Sequence, residues 1–522
     1  MKLLPILFAV AIPAGAATTY YVDAAAGSDS NPGTSTSLAW QSVYKVNSTA
    51  LMPGDRVLFH RGQTWRDQLT ISRSGVPGNP ISYDAYGSGR KPTLAGSDVV
   101  TRWADIGGGA YAGSAPLQPY NVYADNGVAL VPQGDANAVR GLAGSWARDA
   151  QGNLYVHLAD SSNPSLHTIE IATRPFGIYS SASTYISVSN LEIRQTAQSG
   201  IYATSQNSSS VTENWTVSHC TIRNVREAGI YVLPSGQGGQ PMLRGWVIQN
   251  NTIGTIDSSP TLNYDSAGLL IRGTTGAVIM GNAVATVNRF GIRVADYFGA
   301  TPSAAPLVQA NVLGMNEGNI SIAYTSDAVV TNNYISNSKG YGIGIGGSSS
   351  TNATITDNVI VNLSISDDHL LYNGLDCNDG STGGLFSYNT VVAVTNYSMT
   401  LEGDNNRPCS GWTVTNNIFD ARANTPHPYA NGITGSFYTV VPLSNIAFAN
   451  NNYLPYPGSP NGIVRYLGTD YAFGNWAQIT HEANVLSSDP QFLNPAGGDF
   501  TLRGNSPCKM SGGNSGCGRY TY

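Results

Sequence analysis

Residues 330–335 read VTNNYI, and residues 355–360 read ITDNVI. Each places an apolar residue first, a polar one third, Asn fourth and an apolar one sixth. The frame recurs as VSNLEI (188–193), VSHCTI (217–222), IQNNTI (248–253), IMGNAV (279–284) and VQANVL (308–313), then as FSYNTV (386–391), VTNNIF (414–419) and FANNNY (448–453). The fourth position is Leu191, Cys220, Asn251, Asn282, Asn311, Asn333, Asn358, Asn389, Asn417 and Asn451. A period of 20–50 residues marks stacked units that bury their faces against one another. Apolar alternation within each unit indicates strands. Strands stacked in parallel put equivalent residues about 4.8 Å apart, so Asn in one column can bond to Asn above and below. The repeat predicts a parallel β-helix of about ten or more coils.

A second column follows: GIY (200–202), GIY (229–231), GLL (268–270), GIR (291–293), NIS (319–321), GIG (342–344), GLD (374–376) and SMT (398–400). It arrives late in two coils, after TIGTIDSSPTLNYDSA and VIVNLSISDDHLLYN. Loops enlarged at one corner of such a stack wall a groove. Alternation points Ile201, Ile230, Leu269, Ile292, Ile320, Ile343, Leu375 and Met399 inward. Tyr202, Tyr231, Leu270, Arg293, Ser321, Gly344, Asp376 and Thr400 then point outward, and two residues on so do Arg272, Asn378 and Glu402.

Outside the repeat, 18–94 read as an N-terminal cap and first coils, with WQSVYKVNSTAL a short amphipathic helix over the open end. Residues 95–175 break the period, and WARDAQGNLYVHLAD reads as a hairpin turning at Gln151–Asn153, so a small inserted β-subdomain is expected near the N-terminus. The helix core spans 176–455, and 456–522 form C-terminal coils and a cap. Capping protects the exposed edges.

Only 11% of residues are charged and the net charge is −6, against a usual charged fraction of about 25%. No basic field invites nucleic acid. MKLLPILFAVAIPAGAA joins a basic start, a short apolar run and small residues, a secretory signal over 1–17. No segment is long enough to span a bilayer. The expected product is exported, extracellular or periplasmic, and monomeric. Of five cysteines, Cys508 and Cys517 close a short Gly-rich loop and are the pair expected, and Cys377 with Cys409 is a pairing that the sequence leaves open.

The signal, the opening YYVDAAAGSDSNPGT, the PGDRVLFHRGQTW coil and the repeated NNxI together resemble the pectate-lyase-like right-handed parallel β-helix superfamily. The resemblance covers nearly all of the mature chain. It implies an all-β fold and a polysaccharide as partner, but not one reaction, since the superfamily holds lyases, hydrolases, epimerases and non-catalytic surface proteins.

On the outward face the residues themselves offer two chemistries. For β-elimination of a uronide, Lys339 or His369 supplies the base, Arg293 and Arg272 hold a carboxylate, and Asp265, Asp367, Asp368 and Asp379, with Asp376, are hard oxygen ligands suited to Ca²⁺. Many lyases of the superfamily use Lys or Arg in this way, often with Ca²⁺. For hydrolysis, Asp376 and Glu402 form the carboxylate pair. Small residues at Ser321, Ala323, Gly344 and Gly346 leave space above the sheet, and Tyr202, Tyr231, Tyr341 and Asn378 are candidate sugar contacts. β-Elimination is placed first and hydrolysis beside it. Binding or adhesion without catalysis is the third reading.

Overall fold

A computed structural model describes residues 16–518, apart from 208–209, 235–242, 257–265, 297–301, 365–372, 395–396, 402, 405–406, 425–434, 440–444, 455–463, 467–468, 472 and 510–515. Among the described residues three long sheets, here called sheets I, II and III, hold 17, 12 and 13 strands. One coil visits them in turn, as Glu213–Ser218 in sheet I, Thr221–Val225 in sheet II and Ala228–Leu233 in sheet III. The next coil lies in register on it, pairing Val217 with Ile248, Ile222 with Ile253 and Ile230 with Leu269, all parallel. The chain is a parallel β-helix.

The inward positions fuse into one core extending from Val22 to Trp476. Burying each Val, Leu or Ile contributes about 1.5–3 kcal/mol relative to exposure. Aromatic residues stack inside it, Trp215 on Trp246 at 5.2 Å and Phe386 on Trp412 at 4.5 Å.

The Asn column forms a continuous ladder. From Asn251 to Asn417 each Nδ2 donates to Oδ1 of the Asn one coil on, at 3.0 Å. The same Nδ2 reaches a sheet I carbonyl of the preceding coil, for example Val308 O from Asn333, and each Oδ1 also accepts a backbone N–H, as Asn358 does from Asn333. All eight side chains are buried, and this bonding is what makes so many interior amides tolerable. The residue before each ladder position is left-handed, from Asn190 through His219, Asn250 and Asn332 to Asn450, with φ of 54–65°. That geometry favours Asn, Asp and Gly, so the polar third position is a turn requirement. His219 belongs to this turn column, and Cys220 holds the ladder position beside it, its N–H donating to Asn251 Oδ1.

The second column is glycine for a packing reason. A Cβ on Gly268 would lie 2.5 Å from Val284 Cγ1 and 2.6 Å from the Gly291 carbonyl oxygen. The backbone of sheet III turns there directly over sheet II side chains. Both long connections leave sheet II, after Thr252–Ile256 and Val359–Ser364, and re-enter at sheet III with Ala267–Arg272 and Leu375–Cys377.

Helix Val43–Ser48 starts at Ser42, whose side chain accepts from Lys45 N, and it adds Val43 and Val46 to the core. Residues 97–172 build two further sheets with a core of their own, one antiparallel and one mixed, the latter including the hairpin of Ser145–Arg148 on Asn153–His157. Disulfides join Cys377 to Cys409 and Cys508 to Cys517, and Cys220 is a buried free thiol. Among the described residues no helix is long and apolar enough to cross a membrane.

The ladder ends on a carboxyl group. Glu482 Oε1 accepts from Asn451 N at 3.0 Å and Nδ2 at 2.8 Å, and Oε2 accepts from Tyr453 OH at 3.0 Å. Burial raises its pKa to about 7, outweighing these donors. A raised folded pKa gives a stability contribution complete below the unfolded value near 4.5 and lost as pH climbs through about 7. Glu482→Gln keeps an oxygen for Asn451 and cannot ionise. The variant should therefore gain on the wild type as pH rises from 5 to 8, by up to about 3 kcal/mol. Denaturant unfolding of both proteins at each pH checks this, and parallel curves would refute it.

Candidate functional site

Sheet III carries the face of interest. Its register aligns Tyr202, Tyr231, Leu270, Arg293, Ser321, Gly344, Asp376 and Thr400 in one column. The residues before them, such as Ile230 and Leu375, lie in the core. The column therefore points away from the core, as alternation required.

The face is nevertheless closed over along these coils. Asp376, Thr400 and Leu270 are 0% exposed, and Arg272, Ser321, Tyr341 and Tyr231 are all below 9%. The expectation of open space above the small residues is corrected by what fills it. A Cβ on Gly344 would sit 3.0 Å from the Tyr341 ring, and one on Gly346 would sit 2.2 Å from Asn378 Oδ1. The glycines make room for the protein's own side chains.

Asp376 is the centre of this arrangement. Thr400, directly opposite it on the next strand, donates its hydroxyl to Oδ1, and Asn378 Nδ2 donates to Oδ2 at 2.7 Å. Asn373 Nδ2 in turn donates to Thr400 Oγ1 at 3.0 Å. Tyr341 stands beside the carboxylate and bonds Ser321. Burial drives its hydroxyl pKa to about 12, with Asp376 adding to the rise and Arg293 opposing it. Arg293 lies with its guanidinium 4.6 Å from the centre of the Phe290 ring and reaches Ser321 Oγ at 3.4 Å. The result is a buried carboxyl group held between two fixed side-chain donors, a setting suited to proton transfer or nucleophilic attack.

Other sequence candidates are placed differently. Lys339 ends strand Tyr334–Lys339 of sheet II, paired with Ser364, and its Nζ meets Glu317 Oε1 at 3.2 Å. A corner separates it from the strand that carries Gly344, so it does not share the Asp376 face. The half-buried Tyr202 ring stacks on Phe176 at 4.5 Å and Tyr179 at 6.1 Å and meets Tyr231 edge-on. Tyr231 belongs to an apolar cluster with Leu233, Leu270 and Phe290. Arg272 Nη1 donates to the Asp296 carbonyl. Asp379 is exposed in a left-handed turn, and the described residues contain no cluster of three or more His, Cys, Asp or Glu able to hold a metal ion. His369, Glu402, Asp265, Asp367 and Asp368 lie outside the described residues. Asn373 was missed by sequence reading. Thr400 was placed on the face without a role, although its register opposite Asp376 was the available signal.

A second constellation lies in the inserted sheets. Ser162 Oγ is 2.7 Å from His167 Nε2, and His167 Nδ1 meets Asp125. The connectivity is that of a nucleophile triad. Asp160 Oδ1, however, lies 2.6 Å from the same hydroxyl, beside the place where an oxyanion would form. That carboxylate would repel the intermediate, so the network works as a staple between two loops.

The model of the family described as right handed beta helix region matches residues 149–258 and 212–419, together more than half of the chain. This chain belongs to the right-handed β-helix family. The expected pectate-lyase-like superfamily holds at the level of the fold. A solved structure of XylC with xylose superposes on this β-helix with a TM-score of 0.62 at 13% identity, covering 91% of this chain and 87% of that one. A structure described as a glycoside hydrolase gives 0.52 at 11% identity, covering 78% and 95%. In sequence, 88 residues are 42% identical to a lacto-N-biosidase of Bifidobacterium longum subsp. longum, which is 16% of this β-helix and 6% of that protein.

Proposed function

We propose that this β-helix is an exported enzyme that cleaves a glycosidic bond by hydrolysis, with Asp376 as base or nucleophile. The observation that carries the reading is the carboxylate itself, wholly buried on the outward face of sheet III and held by Thr400 and Asn378. In a chain poor in charge, an acidic side chain buried on an outward strand face and held by two side-chain donors marks a candidate functional site. Glu402, one coil and two residues on in the sequence register, is proposed as the partner acid. The local likeness to a lacto-N-biosidase and the shared fold with a glycoside hydrolase support a sugar substrate.

A second reading is β-elimination of a uronide, in which Arg293, three strands from Asp376 in the same outward column, holds the substrate carboxylate. In that reading Lys339 or His369 is the base, and Ca²⁺ bound by the loop acids assists. The ion pair of Lys339 with Glu317 on another sheet weighs against it.

Purified protein on neutral and acidic glycans, assayed for reducing ends and ultraviolet absorbance in the same samples, separates the readings. Reducing ends without absorbance are expected. Both rising together would replace hydrolysis by elimination, and binding with no product would leave a non-catalytic glycan binder.

A further inference from the structure

The hydrogen-bond chain behind Asp376 has a property that its individual bonds do not show. A threonine hydroxyl has one hydrogen and can donate once. With Asp376 ionised, the chain runs from Asn373 Nδ2 to Thr400 Oγ1, and from the Thr400 hydroxyl to Asp376 Oδ1. If Asp376 is protonated and donates its hydroxyl hydrogen bond to Thr400 Oγ1, the Thr400 hydrogen needs another acceptor. Asn373 is 2% exposed, and its Oδ1 has no hydrogen-bond partner among the described residues. Turning the amide over exchanges its oxygen and nitrogen in nearly the same volume. The flipped oxygen then accepts from Thr400, and the whole chain runs the other way.

We propose that Asn373 and Thr400 form a reversible relay that accommodates Asp376 both as an anion and as an acid. In each state one atom of the Asn373 amide lacks a partner among the described residues, Oδ1 when Asp376 is ionised and Nδ2 after the flip. A donor fixed in one direction would instead penalise the acid, leaving a buried hydroxyl hydrogen unsatisfied at about 1–3 kcal/mol. A group that passes a proton in each catalytic cycle needs both forms within reach. Asn373 and Thr400 are thus positioning residues, acting through Asp376. Their part in catalysis rests on the hydrolysis reading, whereas the relay itself does not.

The sign of two titrations tests it. Thr400→Val removes the hydroxyl while keeping the shape, so the anion loses a donor and the titration of Asp376 should move up. Asn373→Leu leaves the Thr400 donor for the anion but removes the acceptor needed by the acid, so the titration should move down. Each shift should be about one pH unit, a tenfold change in proton affinity. Thr400→Ser should restore the wild-type value. Asn373→Ala is the second variant should the leucine disturb folding. Spectra of protein carrying ¹³C-labelled aspartate report the titration directly, with the Asp376 signal identified by its loss in Asp376→Asn. Tyr341, which feels the charge of both Asp376 and Arg293, is unchanged in every variant, as is Arg293. A chain that only donates predicts upward shifts for both variants, and that result, or no shift for Asn373→Leu, would overturn the relay. Opposite shifts in a protein that cleaves no glycan would keep the relay and remove the hydrolase.

Discussion

Asp376→Asn is expected to lower kcat/KM on the glycan that the product assay identifies by about 10³-fold, the usual range for losing a positioned acid–base group being about 10²–10⁴. The substitution is nearly isosteric, and asparagine keeps an oxygen for the Thr400 hydroxyl. Its amide nitrogen would face Asn378 Nδ2, which now donates to Oδ2 at 2.7 Å, and the Asn378 side chain must turn to relieve that. Because the neighbouring Leu375 and Cys377 stay buried in the core and Cys377 stays bonded to Cys409, the β-helix should remain folded, which circular dichroism checks. Glu402→Gln should act as strongly if it is the partner acid, whereas Lys339→Ala should stay within a few-fold of wild type. Activity of Asp376→Asn within tenfold of wild type would remove Asp376 from the chemistry, and loss with Lys339→Ala alone would restore the elimination reading.

The parts of the molecule legible in the sequence are those the fold demands anew in every coil. The Asn ladder, the left-handed residue before it and the glycine after sheet II each answer one local constraint repeated about every 22–34 residues, so their columns stand out. The outward column followed from alternation, and it placed Asp376, Arg293 and Ser321 correctly. What occupies the space above that column did not follow. Alternation gives the side of a sheet but not the rotamer, and Gly344 and Gly346 read as gaps until Tyr341 and Asn378 are seen lying over them. Lys339 misled because closeness in sequence to Gly344 hides the corner at Gly340. Contacts joining distant, unrepeated segments left no pattern at all. The clearest of these centres on Glu170, in strand Ile169–Ala172 of the inserted sheets.

Glu170→Ala is expected to destabilise the protein by about 3–5 kcal/mol. The carboxylate is 1% exposed and gathers groups from three parts of the chain: Arg66 Nη1 at 2.7 Å, Ser97 Oγ at 3.3 Å, and the neighbours Arg194, at 3.3 Å through two nitrogens, and Gln195, whose Nε2 lies at 2.7 Å. Removing it leaves two guanidinium groups near one another in a dry setting, and burial already presses the Arg194 pKa down. The cost comes from those stranded cations more than from the lost attraction. Glu170→Gln, which can still accept from Arg66 and Ser97, should therefore cost less. Replacing Arg66 and Arg194 by Met in the Glu170→Ala background should recover part of the loss. Burial alone would raise the Glu170 pKa, but the Gln195 hydrogen bond and the two arginines overcome it and hold the group below its ordinary value. A lowered folded pKa contributes stability above the unfolded value, about 4.3 for Glu, and that contribution fades as pH falls through the folded value. The gap between wild type and Glu170→Gln in denaturant unfolding should hence be constant from neutral pH to about 5 and narrow in more acid solution. A Glu170→Ala protein within about 1 kcal/mol of wild type would mean that the inserted sheets are held to the helix by their apolar contacts alone, with the ion cluster adding nothing net.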